Sequence, residues 1–477
     1  MALKPIINLF SVLVMLFSAS LLAPISISFI FKDGAEQIFI TTLVVAFVPA
    51  FLAWLLTRKS KEEMGVKDGF VIITLFWVVL SFVGSIPFTL SGMSFIDSFF
   101  ESMSGITTTG ATVISGLDLL PESILFYRQM LQWMGGMGLI VLAIAVMPLL
   151  GIGGGQLFKT EIPGALSDQK LTPRIKETAQ ALWLIYLTLT LVCAGLYYLA
   201  GMTGFDAISH SLSTVSIGGF STHDESIGFF NSFSIEIICM IFMLLSAFSY
   251  ALHYFAIYKK RPLKYFHDAE LRFFVSILSL VIILSIFFCY ILGFDGASIR
   301  QIFFQSISIV TTTGFVSTDY SSWPTVITFL LLVGAFIGAC SGSVGGGIKS
   351  WRVLIMINHA KINIMRLVHP NAVVSLKIGT KAVDDKVAES VWGFFSIYII
   401  SFMLLLLSLL ATGMDFESAF SAIGACLNNL GPGLGSVSET YSSVTGFGKG
   451  ILAFAMILGR LEIFTLLVLF TTVFWDK

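Results

Sequence analysis

Long apolar runs alternate with short polar breaks along the whole chain. The runs are near 20 residues, and each can cross a hydrocarbon core of about 30 Å as a helix. The breaks fall at 58–68, 159–176, 259–272 and 349–386. From the first break onward one plan recurs four times: a spanning helix, a short and moderately apolar segment, a glycine-centred turn, and a second spanning helix. Two further apolar helices precede the first unit. The run from about Pro5 to Phe31 is too long for a signal-peptide core and has no small-residue cleavage site, so it reads as a retained span. The pattern predicts an all-α polytopic membrane protein with ten spanning helices. Its parts are an N-terminal two-helix extension at 1–66 and repeats at 67–158, 159–262, 263–370 and 371–477.

The short segments read SFIDSFFESMSGITTTG, GFDAISHSLSTVSIGG, SIRQIFFQSISIVTTTG and DFESAFSAIGACLNNLG. They end at Gly110, Gly219, Gly314 and Gly431, spaced 109, 95 and 117 residues apart. Aligned on those glycines, Ser104, Ser213, Ser308 and Ala425 coincide six residues upstream. Phe99, Ile208, Phe303 and Phe420 coincide eleven upstream. Asp97, Asp206, Gln301, and Glu417 with Ser418 cluster near the segment starts, where acidic groups suit the positive end of a helix dipole. A unit repeated about every 100 residues is one structural module copied four times. Each segment forms about 10–12 helical residues, roughly 15–18 Å or half a bilayer. It therefore dips in and returns on the same side. Non-helical backbone at that depth is tolerated where it is buried in protein or lines a water-filled cavity. Four such loops facing one another across a single pore satisfy that constraint.

Charge orients the chain. Of its 27 Lys and Arg residues, 20 lie in the four polar breaks, and the connections 110–122, 220–230, 315–324 and 432–446 hold none. The positive-inside rule makes the breaks cytoplasmic, and Lys4 and Lys477 bring both termini to that side. With 56% hydrophobic and 12% charged residues, the composition excludes an ordinary soluble domain, where about 25% are charged. The five cysteines lie scattered in apolar surroundings without a CxxC pair and read as small buried hydrophobes. The six histidines show no metal-ligand spacing.

A cation crossing the membrane exchanges its hydration water for other oxygen ligands, and a ring of backbone carbonyls supplies them without fixed charge. Glycine permits the dihedrals that turn successive carbonyls to an axis. Threonine hydroxyls add a ligand or tie the loop to its helix. The candidate strands are Thr107, Thr108, Thr109, Gly110; Ser216, Ile217, Gly218, Gly219; Thr311, Thr312, Thr313, Gly314; and Asn428, Asn429, Leu430, Gly431. One glycine is common to all four, which predicts one well-defined cation site near it and looser sites beyond. An alternative is that the small residues only permit tight helix packing.

TTTGA, STVSIGGFSTH, TTTGF and LNNLGPGLG, each after a half-length helix, resemble the filters of the Trk/Ktr/HKT superfamily of potassium transporters. The N-terminal extension and the stretch GIGGGQLFKTEIPG…LTPRIKETAQALW at 151–183 are similar to its bacterial TrkH branch. The resemblance implies K⁺ uptake, with Rb⁺ also carried, across a bacterial inner membrane. It implies a homodimer with a pore in each protomer, and a cytoplasmic TrkA-type ring binding NAD(H), ATP or ADP. It implies no organic cofactor in this chain and no nucleic-acid partner.

Two oddities interrupt the apolar runs. Five of the six residues from Gly342 to Gly347 are Gly or Ser, and glycine costs about 1 kcal/mol per helix position relative to alanine. The second helix of repeat three should therefore unwind beneath the filter. Gly342, Ser343, Gly345, Gly346, Gly347 and Lys349 then form a candidate gate, unless the break is only a kink for packing. The spacing nearly mimics a phosphate-binding loop, but Ile348 stands where the lysine belongs and no strand precedes it. Gly153, Gly154 and Gly155 fail in the same way and read as a helix terminus. Arg460, with Glu462 nearby, sits inside the last apolar run, where a helix-centre arginine costs about 2.5–3.5 kcal/mol. It should face the pore as part of the gate, or else form a structural salt bridge.

A potential of 100 mV supplies about 2.3 kcal/mol per elementary charge, enough to drive uptake through such a pore. An H⁺- or Na⁺-coupled symporter is the alternative within the class, although the few intramembrane acids form no clear relay. A membrane enzyme would need converging acids, a metal cluster or a nucleophile–base pair, and the sequence offers none. A purely structural or sensor subunit leaves the four loops in register unexplained.

Overall fold

The computed structural model describes residues 2–60, 62, 64–146, 175–371, 374–379 and 381–475. The reading of Gly153, Gly154 and Gly155, the basic residues of 159–174, and Lys477 lie outside those residues. Among the described residues, six helices are long and apolar enough to cross a membrane: Leu3–Phe31, Glu36–Thr57, Lys67–Leu90, Gln180–Leu199, Ala269–Leu292 and Asp385–Leu410. Glu122–Val146 is the second helix of repeat one. The second helices of the other repeats are all interrupted.

Only the interruption in repeat three was expected. In repeat two, Phe233–Ala247 and Tyr250–Ile257 meet at 97°, and in repeat four Gly446–Arg460 and Phe464–Phe470 meet at 109°. In repeat three, Thr325–Ile337 and Ser350–Val368 are separated by an unwound stretch that begins at Gly338, four residues before the glycine run. Neither additional bend carries a glycine run or a proline. In repeat two the exposed helix ends are satisfied by repeat three instead: Cys340 N–H donates to Ala247 O and Tyr250 N–H to Gly342 O. In repeat four the turn uses two successive residues with positive φ, Glu462 at 52° and Ile463 at 57°.

The four half-length helices are in register to the residue. Phe95–Ile106, Gly204–Val215, Ile299–Val310 and Phe416–Leu427 each have 12 residues and each end four residues before the shared glycine. Their N-caps, Ser94, Thr203, Ser298 and Asp415, accept from the backbone N–H of Asp97, Asp206, Gln301 and Ser418. Such a cap stabilises a helix by about 1 kcal/mol. The caps also explain why polar residues align at the segment starts. The only sheet among the described residues is a two-residue hairpin pairing Lys377–Ile378 with Lys381–Ala382.

The hydrophobic core has two main parts. One joins the N-terminal helices with repeats one and four, and the other is built from repeats two and three. The second helix of each repeat packs beside the half-length helix that follows, and Gly446–Arg460 returns to Phe95–Ile106, closing a circle. All five cysteines are buried and unbridged. Large apolar side chains such as Leu191, Ile283 and Leu407 stay exposed on the outer helices, the side that meets lipid.

Candidate ion-selective site

Each strand after a half-length helix repeats the same backbone conformation. The residue two before the shared glycine has positive φ in all four: Thr108 at 54°, Ile217 at 54°, Thr312 at 63° and Asn429 at 51°. The glycines follow at 83°, 77°, 83° and 101°. Left-handed backbone at both positions turns successive carbonyls to one side, at a cost of about 1–2 kcal/mol for each non-glycine residue. Hydrogen bonds hold it there. The N–H groups of Thr109, Gly218, Thr313 and Leu430 donate to Ser104, Ser213, Ser308 and Ala425 O at 2.8–2.9 Å. These acceptors are the residues aligned six positions before the glycine.

The four strands close into a directional ring. A Cβ on Gly110 would run into Gly218 O, one on Gly219 into Thr313 O, one on Gly314 into Leu430 O, and one on Gly431 would lie 2.7 Å from Thr109 O. Every shared glycine therefore backs onto the carbonyl of the next repeat, and the fourth returns to the first. Apart from the half-buried Gly110 and Gly219, the ring residues are buried, and their polar side chains are largely occupied. Thr107 and Thr109 hydroxyls share a 2.8 Å hydrogen bond, as do those of Thr311 and Thr313. Asn429 Nδ2 donates to Thr109 Oγ1 at 3.0 Å and Asn428 Oδ1 accepts from Tyr398 at 2.8 Å. The threonine hydroxyls thus brace their own strands, and Asn429 ties the fourth strand to the first.

The glycine loop packs against the inner end of the ring. Gly346 N–H donates to Thr312 Oγ1 at 2.7 Å and Gly347 N–H to Asn428 O at 3.2 Å. A Cβ on Gly346 would overlap Asn428 O, and one on Gly345 would lie 3.0 Å from Thr311 O. Gly342 accepts from Tyr250, Ser343 Oγ donates to Cys340 O at 2.5 Å, and Lys349 Nζ donates to Gly345 O. Ser341 N–H donates to the buried Glu270 carboxylate at 2.5 Å. Arg460 ends its helix rather than continuing within it. Its Nη1 donates to Val344 O at 2.9 Å, and its Nη2 reaches Gly135 O at 3.5 Å. Glu462 pairs with Arg352 instead. The structure therefore brings Arg460 and the glycine loop together.

The sequence reading missed a second intramembrane charge. Arg128 and Glu101, 1% and 0% exposed, pair at 2.8 Å, and Arg128 Nη1 also donates to Ser221 O at 3.1 Å. Glu101 Oε2 accepts from Val113 N–H at 3.0 Å. This pair braces the outer ends of the first and second strands. A charged pair in YRQMLQW and FFESM was the available signal, but the two residues lie in different helices. Outside the ring, His223 Nδ1 lies 2.5 Å from Asp118 and Nε2 lies 3.4 Å from Asp206. Burial opposes a charge on His223, but the hydrogen bonds to Asp206 and Asp118 outweigh it and raise its pKa. Among the described residues no cluster of His, Cys, Asp or Glu could hold a metal ion.

Residues 35–476 match the family model TrkH, a cation transport protein. The chain is 50% identical to the Trk system potassium uptake protein TrkH of Halomonas elongata, with 100% of both chains covered. It is 48% identical to the Escherichia coli protein of the same name, with 99% of each covered. The crystal structure of the potassium transporter TrkH from Vibrio parahaemolyticus superposes with a TM-score of 0.91 at 46% identity, over 100% of both chains.

Proposed function

The chain belongs to the TrkH family of cation transport proteins, and we propose that it takes up K⁺, and Rb⁺, through a selective gated pore formed by the four-strand ring. The observation that carries this reading is the interlocked contact of each shared glycine with the next repeat's carbonyl. An ion entering the ring exchanges water for carbonyl oxygens, while the C-terminal ends of four helices turn their negative dipole ends towards it. The glycine loop and Arg460 form the gate on the inner side, where the guanidinium raises the barrier to a passing cation. Uptake is driven mainly by the membrane potential. The protein works as a homodimer in a bacterial inner membrane with both termini cytoplasmic, under the control of a nucleotide-binding TrkA-type subunit. The charge asymmetry supports that orientation, and the relatives' description as parts of a Trk system supports a partner.

The test is ⁸⁶Rb⁺ flux into proteoliposomes at a set potential, with and without imposed H⁺ or Na⁺ gradients. Flux that follows voltage alone is expected. Flux that requires either gradient would replace the pore with a symporter.

A further inference from the structure

The ring is uneven in one place. The carbonyls that oppose the shared glycines belong to Thr109, Gly218, Thr313 and Leu430. Only the second strand has no side chain at that position. In the first and third strands, the threonine hydroxyl at that position bonds to the threonine two residues earlier. Gly218 cannot make such a tie, and Ser216 Oγ turns back to Ser213 O.

Gln132, from the second helix of repeat one, occupies the missing place. A Cβ on Gly218 would overlap its amide group. Its Nε2 donates to Gly218 O at 2.6 Å, and its Oε1 accepts from Phe220 N–H at 3.1 Å. The side chain is 0% exposed, and its Nε2 lies 3.7 Å from where a Cβ of Gly110 would be. Among the described residues, no side chain donates to the carbonyls of Thr109, Thr313 or Leu430.

We propose that Gln132 is a positioning residue for ion selectivity, acting through the Gly218 carbonyl. It fixes the second strand across one peptide on each side of Gly219, and it shares the lone pairs of one ring oxygen with the passing ion. A ring with one weakened ligand has a lower total field. Na⁺ holds its hydration water more tightly than K⁺, so a lower field repays its dehydration less well and widens the preference for K⁺. Removing the donor strengthens that oxygen and frees the strand, and both changes narrow the preference.

This inference rests on the ring being the filter, so the test measures both. Gln132→Met keeps the length without either hydrogen bond, and Gln132→Asn retains an amide one methylene too short to reach Gly218. Full-length variants are compared in proteoliposomes by the K⁺:Na⁺ ratio of flux at fixed potential, a ratio that altered gating alone does not move. Each Gln132 variant should lower it by roughly threefold to tenfold, the loss expected for one net hydrogen bond. Gln129, on the same helix, accepts from Thr222 N–H at 3.1 Å outside the ring once its amide is turned to match donors with acceptors, and Gln129→Met should leave the ratio unchanged. A normal ratio in both Gln132 variants beside a lowered one in Gly314→Ser overturns the role of Gln132 alone. A normal ratio in all three overturns the ring assignment, and an equal drop in Gln129→Met reduces Gln132 to a general strand brace.

Discussion

Replacing Arg460 with alanine should open the pore. The guanidinium makes one well-placed bond to the loop, Nη1 to Val344 O at 2.9 Å, and a marginal one to Gly135 O at 3.5 Å. Its buried Nε has no partner among the described residues. A hydrogen bond to a charged group contributes about 1.5–3 kcal/mol. Counting the first bond and discounting the second, the closed loop should lose that amount relative to a displaced one. At 1.4 kcal/mol per tenfold, the displaced fraction rises by about tenfold to a hundredfold. The loop's remaining bonds to Thr312 and Asn428 keep the shift from being complete. The assay is ⁸⁶Rb⁺ flux in proteoliposomes at fixed potential, normalised to protein that elutes as the wild type does. Arg460→Lys, with a shorter and single-pronged donor, should fall between. Unchanged flux in well-folded Arg460→Ala would refute the gating role.

Gly314→Ser should lower the K⁺:Na⁺ flux ratio by at least about tenfold, because φ is 83° and a Cβ would meet Leu430 O and lie 2.8 Å from Pro432 Cδ. An unaltered ratio in the purified variant would show that the strands are not the filter. Arg128→Met leaves Glu101 buried without its cation and should cost about 3–5 kcal/mol, read as reduced thermal stability in detergent. Adding Glu101→Gln should recover part of that loss, and no recovery would count against a coupled pair. The raised pKa of His223 means its charged form is favoured by folding. That stabilisation is fully present below the unfolded value near 6.5 and fades as pH rises through the higher folded value. Melting temperature should therefore fall over that window in the wild type, and the fall should be absent in His223→Gln.

The ring was legible because its repeat is written in residue identity. Four glycines, four half-length segments and their polar starts align without any three-dimensional information. The left-handed position two residues earlier was not legible, since Thr108, Ile217, Thr312 and Asn429 share no chemistry that announces positive φ. Their conformation is imposed by the helix end before them and the glycine after. The break in repeat three declared itself through glycine, whereas the turns after Ala247 and Arg460 are held by contacts with distant residues. Gln132 and Arg128 escaped notice for a related reason. Each serves the strand of a different repeat, and a pattern read along one repeat does not contain its neighbour.

The circular order of the ring also bears on how the protein is made. Asn429 bonds to Thr109 across 320 residues of sequence, so the last quarter closes onto a first quarter that left the ribosome long before. At about 5–20 residues per second, that interval is some tens of seconds. A nascent or truncated chain already inserted in the membrane has three strands and no closed circle. With the ring as the proposed filter, its carbonyls should not surround an ion, and the membrane should be spared a selective leak until synthesis of the fourth repeat is finished.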